Sequence, residues 1–214
     1  MKRIAIVIGA NGLVGQILVN QLLIHAEFEK VRIFVRRKTG IIHQNLEEQI
    51  IDFDQPEKWK QLIQGDVLFS TLGTTIKKAK TKGNQYRVDF NYQYEFAKAA
   101  GENGVPVYIL VSSMGASSRS SVFYSRMKGE LEDAVSKLNF RKLIIFRPSI
   151  LDGNRHEKRI GEKMGLAISR FLTRFVLKKY QPTPVEILAG KMIRLAIDQT
   201  SGFRLVEGTE ILSK

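Results

Sequence analysis

The sequence predicts an α/β fold: a doubly wound parallel sheet with helices on both faces and a small C-terminal cap. Three observations predict it. Short apolar runs alternate with helical patterns over residues 1–150, the signature of buried parallel strands joined by crossover helices. The first run is followed at once by Gly9-Ala10-Asn11-Gly12-Leu13-Val14-Gly15, a glycine-rich turn between a strand and a helix. The alternation then stops at Arg147-Pro148. Residues 1–150 are therefore expected to form a nucleotide-binding core of Rossmann type. Residues 151–214 are expected to form a cap over the strand ends, within the same structural unit.

The elements follow in order. Residues 4–8 make the first strand. Val14, Ile17, Leu18, Gln21 and Leu22 set a helical stripe as far as about His25. Residues 31–35 make the second strand, closed by Arg36-Arg37, and residues 50–53 the third. A short helix over 57–63 has Pro56 in its first turn, where a missing N–H costs nothing. Residues 67–69 make the fourth strand. The spacing predicts a long helix over 86–102, ended by Asn103-Gly104. Residues 107–111 make the fifth strand, 122–137 a helix and 143–146 the sixth strand. Beyond these, a basic stretch leads into an amphipathic helix over 161–179, with Met164, Ile168, Phe171, Leu172 and Phe175 on one stripe. Such a stripe serves as core, as a homodimer interface or as a membrane-surface helix. Pro182 and Pro184 bracket a turn into a helix over 185–199, and short apolar pieces at 203–206 and 210–212 follow.

Composition bounds the function. A chain of 214 residues, 43% hydrophobic and 26% charged, suits one soluble domain. It has no cysteine, which excludes disulfides and thiolate metal sites and fits a reducing compartment; a cytoplasmic location is expected. The apolar run at 4–8 is too short for a signal peptide and reads as a buried strand. No stretch reaches the roughly 18–20 apolar residues that span a bilayer. The net charge of +13 favours anionic partners. It is concentrated at Lys77, Lys78, Lys80 and Lys82 and across 154–179, with no motif for specific nucleic-acid recognition. His25, His43 and His156 are scattered, so no metal site is expected.

Two motifs carry chemistry. In the glycine loop, Gly9 allows the tight turn, Gly12 admits the pyrophosphate and Gly15 lets the helix pack against the strand. Asn11, Leu13 and Val14 complete the loop. The helix N-terminus then offers unpaired N–H groups and partial positive charge to phosphates. After the second strand an NAD site would carry an acid for the ribose hydroxyls. Arg36 and Arg37 stand there instead and suit a 2′-phosphate, so NADP(H) is favoured over NAD(H). Asp52, with Phe53 beside it, is placed to accept from the adenine amino group. Leu72, Gly73 and Thr74, in the small-residue turn after the fourth strand, would lie along the pyrophosphate and the nicotinamide ribose.

The second motif is Tyr124-Ser125-Arg126-Met127-Lys128. Tyr124 and Lys128 are four apart and share a helix face. A free tyrosine titrates near pH ~10, and a neighbouring ammonium favours its phenolate. Tyr124 can then exchange a proton with a substrate carbonyl, while Lys128 holds the ribose hydroxyls. Ser112 or Ser113, at the end of the fifth strand, can hydrogen-bond the same oxygen.

Together these residues resemble the short-chain dehydrogenase/reductase superfamily, and more closely its atypical branch that includes the human Tat-interacting protein. The likeness spans nearly the whole chain. It includes the glycine loop, Val35-Arg36-Arg37, Asp52-Phe53, Leu72-Gly73-Thr74-Thr75, Val88-Asp89 and Ser112-Ser113-Met114-Gly115-Ala116. It extends to Tyr124 with Lys128-Gly129-Glu130, and to Phe146-Arg147-Pro148. The resemblance implies an NADPH-binding Rossmann fold. It gives cofactor roles to Arg36, Arg37, Leu72, Gly73, Tyr124, Lys128 and Arg147, and the proton-donor role to Tyr124. Many members carry an asparagine where Asp89 stands, linking the lysine to a buried water.

The function expected is an NADPH-dependent carbonyl reductase acting on a small-molecule carbonyl substrate. Two other classes use the same residues: an NADP(H)-binding regulator acting through a protein partner, and a nucleotide-sugar epimerase or dehydratase. Retention of both Tyr124 and Lys128 argues against the first. A cap limited to residues 151–214 is short for the second.

Overall fold

A computed structural model describes residues 2–153 and 181–213 of the chain. Seven parallel strands form one sheet: β1 (Arg3–Ile8), β2 (Phe28–Val35), β3 (Leu46–Ile50), β4 (Val67–Ser70), β5 (Val107–Val111), β6 (Lys142–Arg147) and β9 (Gly202–Glu207). Their order is β3-β2-β1-β4-β5-β6-β9. The direction of winding reverses between β1 and β4, and ligands of such sheets bind outside the carboxyl ends at that point.

The sheet is buried on both faces, which explains the continuous apolar runs. Ala5, Val7, Ile33 and Phe69 face one core, closed by α1 (Leu13–Leu23) and by the helix Val185–Ile197. Ile6, Ile8, Phe34 and Leu68 face the other core, closed by α5 (Gln93–Glu102) and α6 (Phe123–Val135). Helix α1 buries Val14, Leu18 and Leu22, one residue per turn; α6 does the same with Met127, Leu131 and Val135.

The third strand differs from the expected 50–53. It is Leu46-Glu47-Glu48-Gln49-Ile50, an edge strand with no apolar run to betray it. Its Glu47 accepts two bonds of 3.0 Å from Arg32 of β2. A charged edge of this kind resists pairing with other chains. Asp52 and Phe53 therefore lie just past a strand end. The expected helix 57–63 is α2 (Pro56–Trp59) running into a 3₁₀ turn (Lys60–Leu62).

Two short helices, α3 (Ile76–Ala79) and α4 (Lys82–Tyr86), precede the helix expected over 86–102. That helix itself opens with a π-helical segment, Arg87–Tyr92. β7 (Leu151–Asp152) and β8 (Thr183–Pro184) pair as a separate ribbon. A Cβ on Gly153 would come within 2.8 Å of Val185 and 3.0 Å of Leu13, so this ribbon abuts the start of α1.

The tail differs most from expectation. The helix Val185–Ile197 (α7) covers the sheet beside α1, and β9 adds a seventh strand paired with β6. A last turn, α8 (Thr209–Leu212), follows. Residues 185–213 thus belong to the sandwich and do not lie over the strand ends. The helix expected over 161–179, the basic stretch 154–179 and His156 fall outside the described residues.

Candidate functional site

The glycine loop is built by close backbone contact. Gly9 has φ 86°, a left-handed conformation that L side chains avoid. A Cβ on Gly15 would lie 2.1 Å from the Gly9 carbonyl oxygen, so only glycine lets α1 rise directly off β1. The Gly12 N–H bonds that same oxygen at 2.8 Å. Helix α1 then starts with Gly12 at its cap. No side chain caps it, and its first turn, with Leu13 and Val14, holds no acid. An uncapped helix end beside exposed Gly12 and Gly73 fits a dinucleotide pyrophosphate.

Asn11 and Arg37 are brought together: the Asn11 side-chain amide donates to the Arg37 carbonyl at 3.2 Å. Both arginines are exposed, and the Arg36 guanidinium sits 6.0 Å above the Phe53 ring. The Asp52 carboxylate is engaged inside its own turn. It accepts from the Asp54 N–H at 3.0 Å and from Gln55 Nε2 at 2.7 Å, and these bonds hold its pKa below the ordinary value.

Helix α6, which carries Tyr124 and Lys128, is tied to the Asp89 segment by a buried ion pair. Tyr124 is 38% exposed, whereas Lys128, one turn later, is buried. Lys128 Nζ lies 3.2 Å from Asp89 Oδ1, and both side chains are sealed from solvent. Burial opposes the ammonium. Attraction from Asp89, with smaller help from Tyr124 and Glu132, outweighs this and raises its pKa. The other Asp89 oxygen accepts the Thr74 N–H at 2.8 Å. One carboxylate therefore binds the lysine to the turn of Leu72, Gly73 and Thr74. The Asp89 carbonyl accepts from Gln93 Nε2 at 2.7 Å, and Ser70 donates to Gln93 Oε1 at 2.7 Å.

The two serines part company. Ser112 is buried and donates to Glu132, which is also clasped by Arg147, with Nε 3.0 Å from Oε1. Bonding to Glu132 raises the Arg147 pKa, and Glu207 lies 3.8 Å from its other arm. Ser112 and Arg147 are thus committed to one internal network. Ser113 is half-buried, and its hydroxyl has only a long 3.4 Å bond to the Met114 carbonyl. Glu132 escaped the sequence reading, although Tyr124, Lys128 and Glu132 repeat every four residues on one face.

A family model described as NAD(P)H-binding matches residues 9–163. A protein named FMP52, mitochondrial, from Candida glabrata is 37% identical over 190 residues, covering 86% of this chain and 80% of its own. HTATIP2 of Rattus norvegicus is 32% identical over 210 residues, covering 96% and 86%. Among solved structures, the Bordetella bronchiseptica enzyme WbmH in complex with NAD+ has a TM-score of 0.72 at 17% identity, over 97% of this chain and 75% of that one. A short-chain dehydrogenase/reductase superfamily protein from Agrobacterium tumefaciens with bound NAD has a TM-score of 0.72 at 16% identity, over 96% and 77%. These last two likenesses show the shared fold. FMP52 proteins of Candida glabrata, Eremothecium gossypii and Candida albicans are all named mitochondrial, which overturns the cytoplasmic expectation. That expectation leaned on absent cysteine, and a chain without thiols cannot report which reducing compartment holds it. With the family model covering most of the chain, and with relatives of 37% and 32% identity, the chain belongs to the NAD(P)H-binding family, in the company of FMP52 and HTATIP2, and its sheet has the Rossmann order.

Proposed function

We propose that the protein reduces a carbonyl compound with NADPH, Tyr124 acting as proton donor. The observation that carries this reading is Tyr124 exposed at the start of α6, one helical turn from Lys128, whose ammonium is held on Asp89. The nicotinamide, when bound, supplies the reducing equivalent. Tyr124 gives its hydroxyl proton to the carbonyl oxygen and, being exposed, recovers one from water. Lys128 faces the charge left on the phenol oxygen and holds the ribose hydroxyls. Ser113, rather than Ser112, is free to bond the substrate oxygen. Arg36 and Arg37, with no acid between them and β3, hold the 2′-phosphate.

The test is calorimetric titration with NADPH and NADH on the wild type and on Tyr124→Phe, beside a carbonyl panel. NADPH should bind at least about tenfold tighter than NADH, as loss of charge-assisted bonds to one phosphate requires. Tyr124→Phe should keep that affinity and lose at least about a hundredfold in turnover. Equal affinities would remove the role given to the arginines. A wild type that oxidises no NADPH with any carbonyl would overturn the reductase.

A further inference from the structure

The lysine-rich segment after β4 has no part in the fold's core, yet the structure anchors it to the start of α6, the turn that carries Tyr124. Two anchors do this. At one end Thr74 bonds Asp89, the partner of Lys128. At the other, Lys82 Nζ stands 5.6 Å over the ring of Phe123. Tyr124 lies between Phe123 and Lys128 on α6, so the two ends of residues 74–82 are tied to groups that flank the tyrosine in sequence. A third tie, from the Tyr86 hydroxyl to Glu130 at 3.1 Å, fastens the end of α4 to α6.

The segment is internally braced. Thr75 and Thr81 cap α3 and α4 by accepting the N–H groups of Lys78 (3.3 Å) and Asn84 (3.1 Å). The Asn84 amide donates back to the Ala79 carbonyl at 3.1 Å. Lys80, between the helices, has φ 67° and is the one non-glycine residue with positive φ among the described residues. A conformation of this kind persists only where the surroundings dictate it, and such residues gather at ligand clamps.

The charge on this wall is of one sign. Residues 75–86 contain Lys77, Lys78, Lys80 and Lys82 and no acid, and Arg87 beyond them is paired with Asp54 at 3.5 Å. Glu130, the acid that faces it from α6, is already taken by Tyr86 and by Arg126 at 3.8 Å. Exposed apolar groups, Ile76 on the wall and Val122 just before α6, accompany the lysines. The pyrophosphate does not explain these charges, because its place is the N-terminus of α1.

We infer that the substrate is an amphipathic organic anion: a carbonyl compound whose non-reacting end carries a negative group, received by Lys77, Lys80 and Lys82. The lysines act as point charges that select and orient it, leaving the carbonyl at Tyr124. The inference rests on the reductase reading above for the carbonyl, but not for the anion.

The experiment measures binding and turnover separately. NADP-loaded protein is titrated with para-formylbenzoate and with its neutral methyl ester, on the wild type, on the triple variant K77E/K80E/K82E and on the milder K77Q/K80Q/K82Q. All three positions are exposed, so folding and NADPH affinity, measured first, should survive. The wild type should prefer the anion by about tenfold at low salt, a preference eroded by added salt. The glutamine variant should bring the ratio near one, and the glutamate variant should invert it. Equal affinity in the wild type, no binding of the anion, or a preference that survives in both variants would overturn the inference. Anion-selective binding without NADPH oxidation would uphold it while overturning the reductase.

Discussion

Asp89 spends both carboxylate oxygens inside the protein, one on Lys128 and one on the Thr74 N–H, in a position with no solvent. The pair joins the helical segment that carries Asp89 to α6 at full burial. Removing the carboxylate leaves an ammonium whose burial nothing offsets. In the wild type the Lys128 pKa is raised, so its charge persists below the ordinary lysine value and is lost only above the raised one. Asp89→Asn removes the attraction and keeps the burial, so the pKa should fall below that ordinary value. NADPH affinity of the variant should then drop between about pH 7 and pH 9, a range over which the wild type stays level. Calorimetry at both pH values decides it, and matching profiles would reduce Asp89 to a structural group. Asparagine keeps the side chain's size, and its amide oxygen can still accept the Thr74 N–H, so the fold should accept it. At this scale the four-residue spacing made Tyr124 and Lys128 legible. Which serine is free was not legible. Ser112 and Ser113 differ only in which side of the strand end they leave, and that depends on Glu132 across the fold.

Elements meet at this site through glycine. A Cβ on Gly129 would lie 2.1 Å from the Ser118 N and 2.2 Å from the Ser117 carbonyl carbon, so α6 can approach the serine loop only without a side chain there. That approach packs the helix that carries Tyr124 against the loop that follows Ser113. Gly129→Ala must push loop and helix apart, since backbone cannot step aside as a flexible side chain does. It should cost about 2 kcal/mol of stability, the usual scale of overpacking. Turnover should fall much further than NADPH affinity, because Gly9, Gly12 and Gly15 are untouched. Urea unfolding and calorimetry on one preparation test this, and parallel losses of turnover and affinity would sink it. The glycine loop was readable because its strand, turn and helix are consecutive. β3 was not, since an edge strand of charged residues shows no apolar run. Nor was the π-helical segment Arg87–Tyr92. Its wider turn leaves the Asp89 carbonyl to the Gln93 side chain, a change too local to alter the apolar spacing.

On the scale of the whole molecule, the tail closes the sheet, and a buried lysine fastens it. Lys142, at the start of β6, donates from Nζ to the carbonyls of Leu195 (3.0 Å) and Asp198 (2.7 Å) and to the Asp198 carboxylate. It thus caps the C-terminal end of α7, where orphan carbonyls and the helix dipole both favour a cation. From sequence, residues after Arg147 looked like a cap because the strand–helix alternation breaks there; the apolar piece at 203–206 is short, and β9 opens with the exposed Gly202-Phe203-Arg204. If α7 and β9 belong to one cooperative sandwich, Lys142→Met should lower the stability of the entire protein by about 3 kcal/mol, the scale of a broken buried ion pair. Unfolding should remain a single transition, and the glycine loop should be lost with the tail. The acid limb adds a check on sign. Burial would raise the Asp198 pKa, but bonds from Lys142 and Thr200 outweigh it and hold it down. The ion pair's contribution is therefore present above the ordinary carboxylate value of about 3.9 and fades as pH falls through the lowered one. The gap between wild type and Lys142→Met in urea should narrow on that descent without vanishing, since the two carbonyl bonds do not titrate. Two separate transitions, with cofactor binding outlasting the loss of β9, would show instead that the tail folds apart from the sheet.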